Sequence, residues 1–261
     1  MLKGVAHVHS TFSFDGKVEL RDVRSFFEQK GFDFVMMSEH IEELDLERIR
    51  EFIDACNRHS SDDCLLIPGI EIDALHILIF GIQKPDSFPD NLAFTQMCYA
   101  QGAAIILSHP VKIHHGIPRE VEPLLAGVEI WNSRYDGRRA PRYSNLRLLR
   151  HMRRRRPELI PFCGIDFHGY SDFADLWIEL EADRTAAAIV ARLIGGQGRV
   201  CTRNGEIPVY DNSTDLSKTL YAARSAFATG IHDGAVALYR FIKGLGLPLP
   251  TLLRRAGRRV L

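Results

Sequence analysis

The chain has 261 residues, 46% hydrophobic and 25% charged, with 33 Lys plus Arg balanced by 33 Asp plus Glu. This is ordinary globular composition with length for a large core, so disordered and fibrous classes are excluded and bulk charge points to no partner. The opening Met1-Leu2-Lys3-Gly4-Val5-Ala6-His7 has no secretory apolar stretch, and no apolar run nears the roughly 18 residues of a membrane span. A cytoplasmic protein is expected.

A strand is expected over about 3–8, then a helix over 19–30 in which Leu20, Val23, Phe26 and Phe27 share a face and Gly31 is the stop signal. A strand near 33–38 follows, and a helix over 45–59 opens after Asp45 with Leu46, Ile49, Phe52 and Ile53 on one side. Strands near 64–72 and 75–82 are separated by only a few residues around Asp73-Ala74. That is too short for a parallel crossover, so a hairpin is expected there. Further on come a helix (90–101), strands (103–108 and 127–131), a helix (142–155), strands (159–165 and 176–180) and a helix (184–194). Strand–helix alternation argues for βαβ units and a parallel sheet. Past Asn204-Gly205 the pattern changes to helices near 214–229 and 232–244 and a basic tail with Arg254, Arg255, Arg258 and Arg259. The expected division is therefore a catalytic domain over 1–204 and a helical extension over 205–261. For the tail, docking or disorder is favoured over a basic segment lying on a membrane surface.

The apolar runs end in residues that bind metals: His7 and His9, Glu39-His40, Glu71, His109, Asn132, and Asp166 with His168. In α/β barrels the catalytic groups sit at the C-terminal ends of the parallel strands. Strand residues two apart point to one face, so His7 and His9 can reach a single ion, and Asp166 and His168 repeat the spacing. Scattered surface histidines are the plain alternative, but they would not follow apolar strands so regularly. The candidate set is His7, His9, Asp15, His40, Glu71, His109, Asp166 and His168. Imidazole and carboxylate without thiolate favour catalytic zinc, manganese or iron, and so many donors suit two or three divalent ions. The five cysteines, Cys56, Cys64, Cys98, Cys163 and Cys201, contain no C-x-x-C and are expected to be reduced core thiols rather than nucleophiles.

These residues in this order resemble the PHP (polymerase and histidinol phosphatase) superfamily. The matching motifs are His7-Val8-His9-Ser10-Thr11-Phe12-Ser13-Phe14-Asp15-Gly16, Ser38-Glu39-His40, Pro68-Gly69-Ile70-Glu71-Ile72, Ser108-His109-Pro110 and Gly164-Ile165-Asp166-Phe167-His168-Gly169. The resemblance covers about residues 1–180. It implies an α/β fold, a distorted (β/α)7 TIM-like barrel, with a trinuclear centre that hydrolyses phosphate esters. It further implies that His7, His9, Glu71 and Asp166 hold a first ion, that Glu71 bridges to a second held with His109, and that Asp15, His40 and His168 hold a third. On this pattern Glu71 positions the nucleophilic water and His168 is a further catalytic candidate. Two departures stand out. Asn132 occupies the place of a third histidine ligand, either ligating through its amide or serving as a strand-end turn residue. Glu39 replaces an aspartate and is expected to support an imidazole from behind.

Lys112, Arg134, Arg138 and Arg139 follow strand ends, and Lys112, Arg134 and Arg138 are candidates for gripping substrate phosphate, ordinary surface charge being the alternative. His76 is either a supporting contact or a satisfied hairpin histidine. The loop histidines His114 and His115 are expected to be exposed. The run Arg153 to Arg156 precedes Pro157 and a strand, so it is expected at a helix end remote from the metals, and nucleic acid is not the expected partner. The expected function is hydrolysis of a small phosphate monoester by metal-activated water. The alternatives are phosphodiester cleavage such as oligonucleotide trimming, protein-tyrosine phosphatase activity, an amidohydrolase-like metalloenzyme, and a non-catalytic module of the same superfamily. The amidohydrolase pattern does not call for Glu39-His40 or the Glu71 motif and wants a bridging lysine absent here. A non-catalytic module would show eroded ligands, and only Asn132 departs in that way. The sequence names neither the ester nor the oligomeric state.

Overall fold

The structure, a computed structural model, describes residues 1–207 and, beyond them, only short stretches and single residues between 223 and 241. The helices expected over 214–229 and 232–244 fall mostly outside the described residues, the described positions among them being helical, and the basic tail falls wholly outside.

The chain opens with β1 (Leu2–Val8) and α1 (Leu20–Gln29), followed by β2 (Phe34–Met37), β3 (Glu39–His40) and α2 (Leu46–His59). Next come β4 (Leu65–Ile67), β5 (Gly69–Ile72), β6 (Ile77–Phe80), α3 (Asn91–Ala100), β7 (Ala104–Leu107) and β8 (Leu125–Asn132). Then follow α4 (Tyr143–Arg153), β9 (Ile160–Gly164), β10 (Leu176–Leu180), α5 (Ala186–Ile194), β11 (Arg199–Thr202) and β12 (Gly205–Glu206). Side-chain caps fix several helix starts: Asp45 accepts from Arg48 N, Asp90 from Ala93 N and Thr185 from Ala188 N. Leu20, Val23 and Phe27 of α1 are buried as their spacing predicts, with Phe26 packed at the edge of the core.

The strands form two six-stranded sheets with helices packed on them, a mixed α/β fold. One sheet has the order β12-β11-β10-β1-β2-β4 and the other β3-β5-β6-β7-β8-β9. The predicted run 64–72 is split at Pro68, which has no N–H for the ladder, and its carbonyl instead accepts from Gly81 N and Ile82 N. The predicted hairpin is present: β5 and β6 pair antiparallel from Gly69↔Phe80 to Ile72↔Ile77. A wholly parallel sheet is not what forms. β6 also runs antiparallel to β7, and β10 runs antiparallel to β1 and β11. The β11–β12 hairpin was not anticipated, because its strands are too short to show a period. The two sheets approach each other where Ile165 N donates to Ala6 O at 3.1 Å, Phe167 N to His7 O at 3.0 Å and His9 N to Phe167 O at 2.8 Å.

The core is rich in fully buried rings, Phe27, Phe34, Phe52, Phe80, Phe94, Phe162 and Phe167 among them. Each contributes about 1.5–3 kcal/mol by leaving water, which offsets the cost of keeping a polar cluster dry at the strand ends. All five cysteines are buried and free. Burial pushes the thiols of Cys64, Cys98 and Cys201 up to about 12 and those of Cys56 and Cys163 well above their ordinary range, unlike a catalytic thiolate. Among the described residues no helix is long and apolar enough to cross a membrane.

Candidate metal centre

Glu71 lies at the middle of the polar cluster. Its strand β5 pairs with β3 so that His40 and Glu71 are register partners. Glu71 Oε2 lies 3.1 Å from His7 Nε2, 3.4 Å from His9 Nε2 and 3.7 Å from His40 Nδ1, and Oε1 lies 2.8 Å from His109 Nε2. One buried carboxylate thus faces four imidazoles. Burial alone would raise its pKa, yet His7 and His109 outweigh that and hold it well below the usual carboxylate range. Burial and the neighbouring His168 push the His9 imidazole well down, whereas the carboxylates of Glu71, Asp166 and Glu129 more than offset burial at His7 and raise it.

The backbone at the strand ends departs from simple alternation. His7 (φ 62°), His109 (φ 27°) and Asp166 (φ 53°) all occupy the left-handed region, which non-glycine residues rarely adopt. The β1/β2 register slips between Ala6 and Val8, so His7 sits on a bulge. The H-x-H pair converges on Glu71 as expected, but through this bulge and not through plain strand alternation. Asp166 and His168 also converge, with His168 Nδ1 3.3 Å from Asp166 Oδ1 and His168 Nε2 2.8 Å from Asp15 Oδ2. The His9 ring stacks on His168 at 4.2 Å and on His40 at 4.6 Å between centroids.

Three groups of donor atoms each gather within 4.8 Å: His7, Glu71 and His109; His7, His9 and Asp166; and His9, Asp15, His40 and His168. Each group could hold an ion. A further group, His40 with Glu42 and Asp73, lies on the rim. His9 Nε2, Asp15 Oδ1 and His40 Nδ1 are buried without a hydrogen-bond partner among the described residues. An unpaired buried polar atom costs about 1–3 kcal/mol, so these orphaned donors, all of metal-ligating type and free of sulfur, fit divalent cations.

Several residues act from behind this ring. Glu39, fully buried, accepts from Ser10 Oγ at 2.7 Å, Ser13 Oγ at 2.6 Å and Ser10 N at 3.0 Å. Burial raises its carboxyl despite these donors. Among the described residues Glu39 makes no hydrogen bond to an imidazole. It fixes Ser13, whose Oγ lies 3.3 Å from His9 Nδ1 and accepts from His40 N at 3.0 Å. Asn132 is occupied on both sides. Its Oδ1 accepts from Arg134 N at 3.0 Å and Tyr135 N at 3.2 Å, while Nδ2 donates to Asp166 Oδ2 at 3.2 Å and Glu129 Oε2 at 3.3 Å. The amide oxygen that a metal would need is committed to the turn, so the turn role considered for Asn132 is the one its contacts match.

Glu129 was missed in the sequence. It accepts from His7 Nδ1 at 2.9 Å and from His109 N at 2.8 Å and has no exposed surface. A charged residue inside the apolar run Val128-Glu129-Ile130 was the available signal. Asp136, also unanticipated, binds Asn132 N at 2.9 Å and Arg142 Nε at 2.6 Å, and burial still pushes its carboxyl up to about 6. Arg142 in turn grips Asp233 through two bonds of 2.8 and 2.9 Å, tying a residue of the expected extension to the domain.

The candidate phosphate-binding cations separate. Arg134 Nη1 lies 2.7 Å from His168 Nδ1 and 3.6 Å from Asp166 Oδ1, against the donor ring. Lys112 lies 3.9 Å from Asp73 and over the Tyr135 ring, which itself packs on His109. Arg138 turns away to the Ser171 carbonyl at 2.6 Å and, with Arg139, lines a separate cavity of about 270 Å³ beside the β11–β12 hairpin. His76 occupies a left-handed turn position (φ 51°), its Nδ1 unpaired among the described residues. His114 is exposed, and His115 bonds Asn145. Arg153 and Arg156 bond the carbonyls of Leu159, Glu122 and Leu125 at the opposite ends of the strands, as the structural interpretation of that run expects.

No protein-family model matches this chain, and no curated protein matches it. Among solved structures it is similar to PsfC from Pseudomonas syringae PB-5123, at 11% identity and TM-score 0.51, over 88% of this chain and 98% of that one. It is also similar, at 15% identity and TM-score 0.44, to a protein from Bifidobacterium adolescentis provisionally assigned as a metal-dependent phosphoesterase, over 64% of this chain and 87% of that one. The likeness to PsfC is one of fold.

Proposed function

We propose that this chain is a metal-dependent phosphoesterase of the PHP type, with phosphate monoesters as its substrates. The observation that carries the proposal is the buried Glu71 carboxylate ringed by four imidazoles, beside metal-ligating atoms that have no hydrogen-bond partner among the described residues. His7, His9, Glu71 and Asp166 would hold a first ion, Glu71 and His109 a second, and Asp15, His40 and His168 a third. Zinc, manganese or iron in such a cage supplies hydroxide at neutral pH and neutralises charge on phosphoryl oxygens. The distorted (β/α)7 barrel belongs to the same proposal, supported by the backbone bonds from residues 165–167 to residues 6–9.

The chain's own groups divide the remaining work. Glu71 and Asp166 balance the imidazoles and fix their directions. Asn132 holds Asp166 in place while its carbonyl oxygen orders the turn that carries Arg134. Arg134, aimed at His168 and Asp166, would grip the phosphoryl oxygens, with Lys112 beside Tyr135 as the second cation. Arg138 is left outside this role by its bond to Ser171.

The test is a screen of the ion-supplemented protein against phosphate monoesters, diesters, short single-stranded oligonucleotides, phosphotyrosine peptides, amides and lactones. Monoester hydrolysis is expected, lost in His9→Ala and Asp166→Ala. Arg134→Ala is expected to lower kcat/KM about 10²-fold or more, the scale of one preorganised donor to a developing anion. Inactivity on every phosphate ester, or activity that survives both ligand substitutions, would overturn the proposal.

A further inference from the structure

Three strand ends of the centre carry left-handed backbone, and one buried carboxylate lies behind them. Glu129 Oε1 is 2.9 Å from His7 Nδ1. Oε2 accepts from the backbone N–H of His109 at 2.8 Å and from Asn132 Nδ2 at 3.3 Å, the same amide that donates to Asp166 Oδ2. Both oxygens are therefore committed away from the donor ring, and Glu129 is in none of the groups that could hold an ion. A Cβ on Gly164 would fall 2.2 Å from Glu129 Oε1 and 2.5 Å from His7 Cβ, so the absent side chain of Gly164 is what admits the carboxylate.

We infer that Glu129 is the positioning residue of this centre: it holds the proton of His7 on Nδ1, so that Nε2 presents a lone pair toward Glu71, and it pins the strained His109 backbone. The inference rests on the proposed metal centre and adds to it a residue that ligates nothing. A carboxylate accepting from Nδ1–H fixes the imidazole's tautomer and direction, and loss of such an outer partner typically weakens metal binding 10- to 100-fold. Glutamine has nearly the same shape but reverses one bond. With its carbonyl oxygen on the His109 and Asn132 donors, its NH2 group would face His7 Nδ1 and force the proton onto Nε2, removing the lone pair.

The experiment is Zn²⁺ titration by calorimetry on wild type, Glu129→Gln and Glu129→Asp, with thermal melting of each metal-free protein as a fold control. Glu129→Gln is expected to bind the first ion, the one proposed for His7, about 10- to 100-fold more weakly. The ion at Asp15, His40 and His168 should be unaffected, and Glu129→Asp should recover part of the loss. Equal affinity of wild type and Glu129→Gln at every site would overturn the inference, whereas absence of Zn²⁺ binding by wild type would overturn the metal centre itself. If Glu129→Gln fails to fold, ¹⁵N-histidine spectra of the Zn²⁺-loaded wild type decide the matter. A proton on His7 Nδ1 is expected, and a proton on Nε2 would overturn it.

Discussion

Glu71→Gln is expected to reduce phosphate-ester hydrolysis by on the order of 10³-fold or more, the scale seen when one member of a catalytic unit is removed. The two oxygens of Glu71 face His7, His9, His40 and His109 within 3.7 Å. Glutamine keeps the volume and one acceptor but removes the negative charge. It also turns one of the two ligand atoms into a donor aimed at imidazole nitrogens. The loss should appear mainly in kcat and in metal content, because the cage fails rather than a substrate contact. Purified Glu71→Gln protein assayed with excess ion checks this. A variant retaining more than about a tenth of wild-type kcat/KM, a loss of under 1.4 kcal/mol in transition-state stabilisation, would show that Glu71 is not the bridge.

The second large effect is steric and reaches the same centre from behind. Gly164→Ala places a methyl group 2.2 Å from Glu129 Oε1, 2.5 Å from His7 Cβ and 3.0 Å from His7 Nδ1. None of these atoms can yield easily. Glu129 and His7 are fully buried, and His7 Cβ is fixed by the bulge at the end of β1. Overpacking of this kind costs about 1–3 kcal/mol, which lowers Tm by roughly 3–10 °C for a domain of this size. Activity should fall further than stability, because the relief available is displacement of Glu129 from His7. Differential scanning fluorimetry and kcat/KM, measured together, test both halves. An alanine variant with unchanged Tm and rate would mean that the strand end is looser than its packing indicates.

The candidate donors other than Asp15 stand out in the sequence because they follow apolar runs, and the structure gathers them; the helical period placed five helices within two residues of their observed ends. Periodicity could not reveal direction. The antiparallel pairing of β6 with β7 and of β10 with β1 depends on which strands become neighbours, and that is decided by partners far along the chain. Nor could alternation foresee the bulge at His7. There the strand gives up its regular register, and the close approach of His7 to Glu71 and Glu129 accompanies it. Glu129 itself is a single letter in an apolar run. Its meaning comes from His7, 122 residues away in sequence, and from the backbone of His109. Asn132 was readable as a turn residue, but its hold on Asp166 depends on the neighbouring strand β9. Glu39 was expected to support an imidazole from behind; in the structure it accepts from Ser10 and Ser13, a hydroxyl pair that becomes informative only once the loop folds over it.

Metal stoichiometry measured together with activity tests the proposed centre most directly. Protein purified with zinc, manganese or iron would be analysed for bound ions, then stripped with chelator and reloaded, following hydrolysis of a phosphate monoester at each step. Two or three ions per chain are expected, with activity lost on stripping, recovered on reloading, and a Tm that falls as the ions leave. A protein that binds no divalent ion, or one whose hydrolysis continues undiminished after stripping, would contradict the metal centre assigned to His7, His9, Asp15, His40, Glu71, His109, Asp166 and His168.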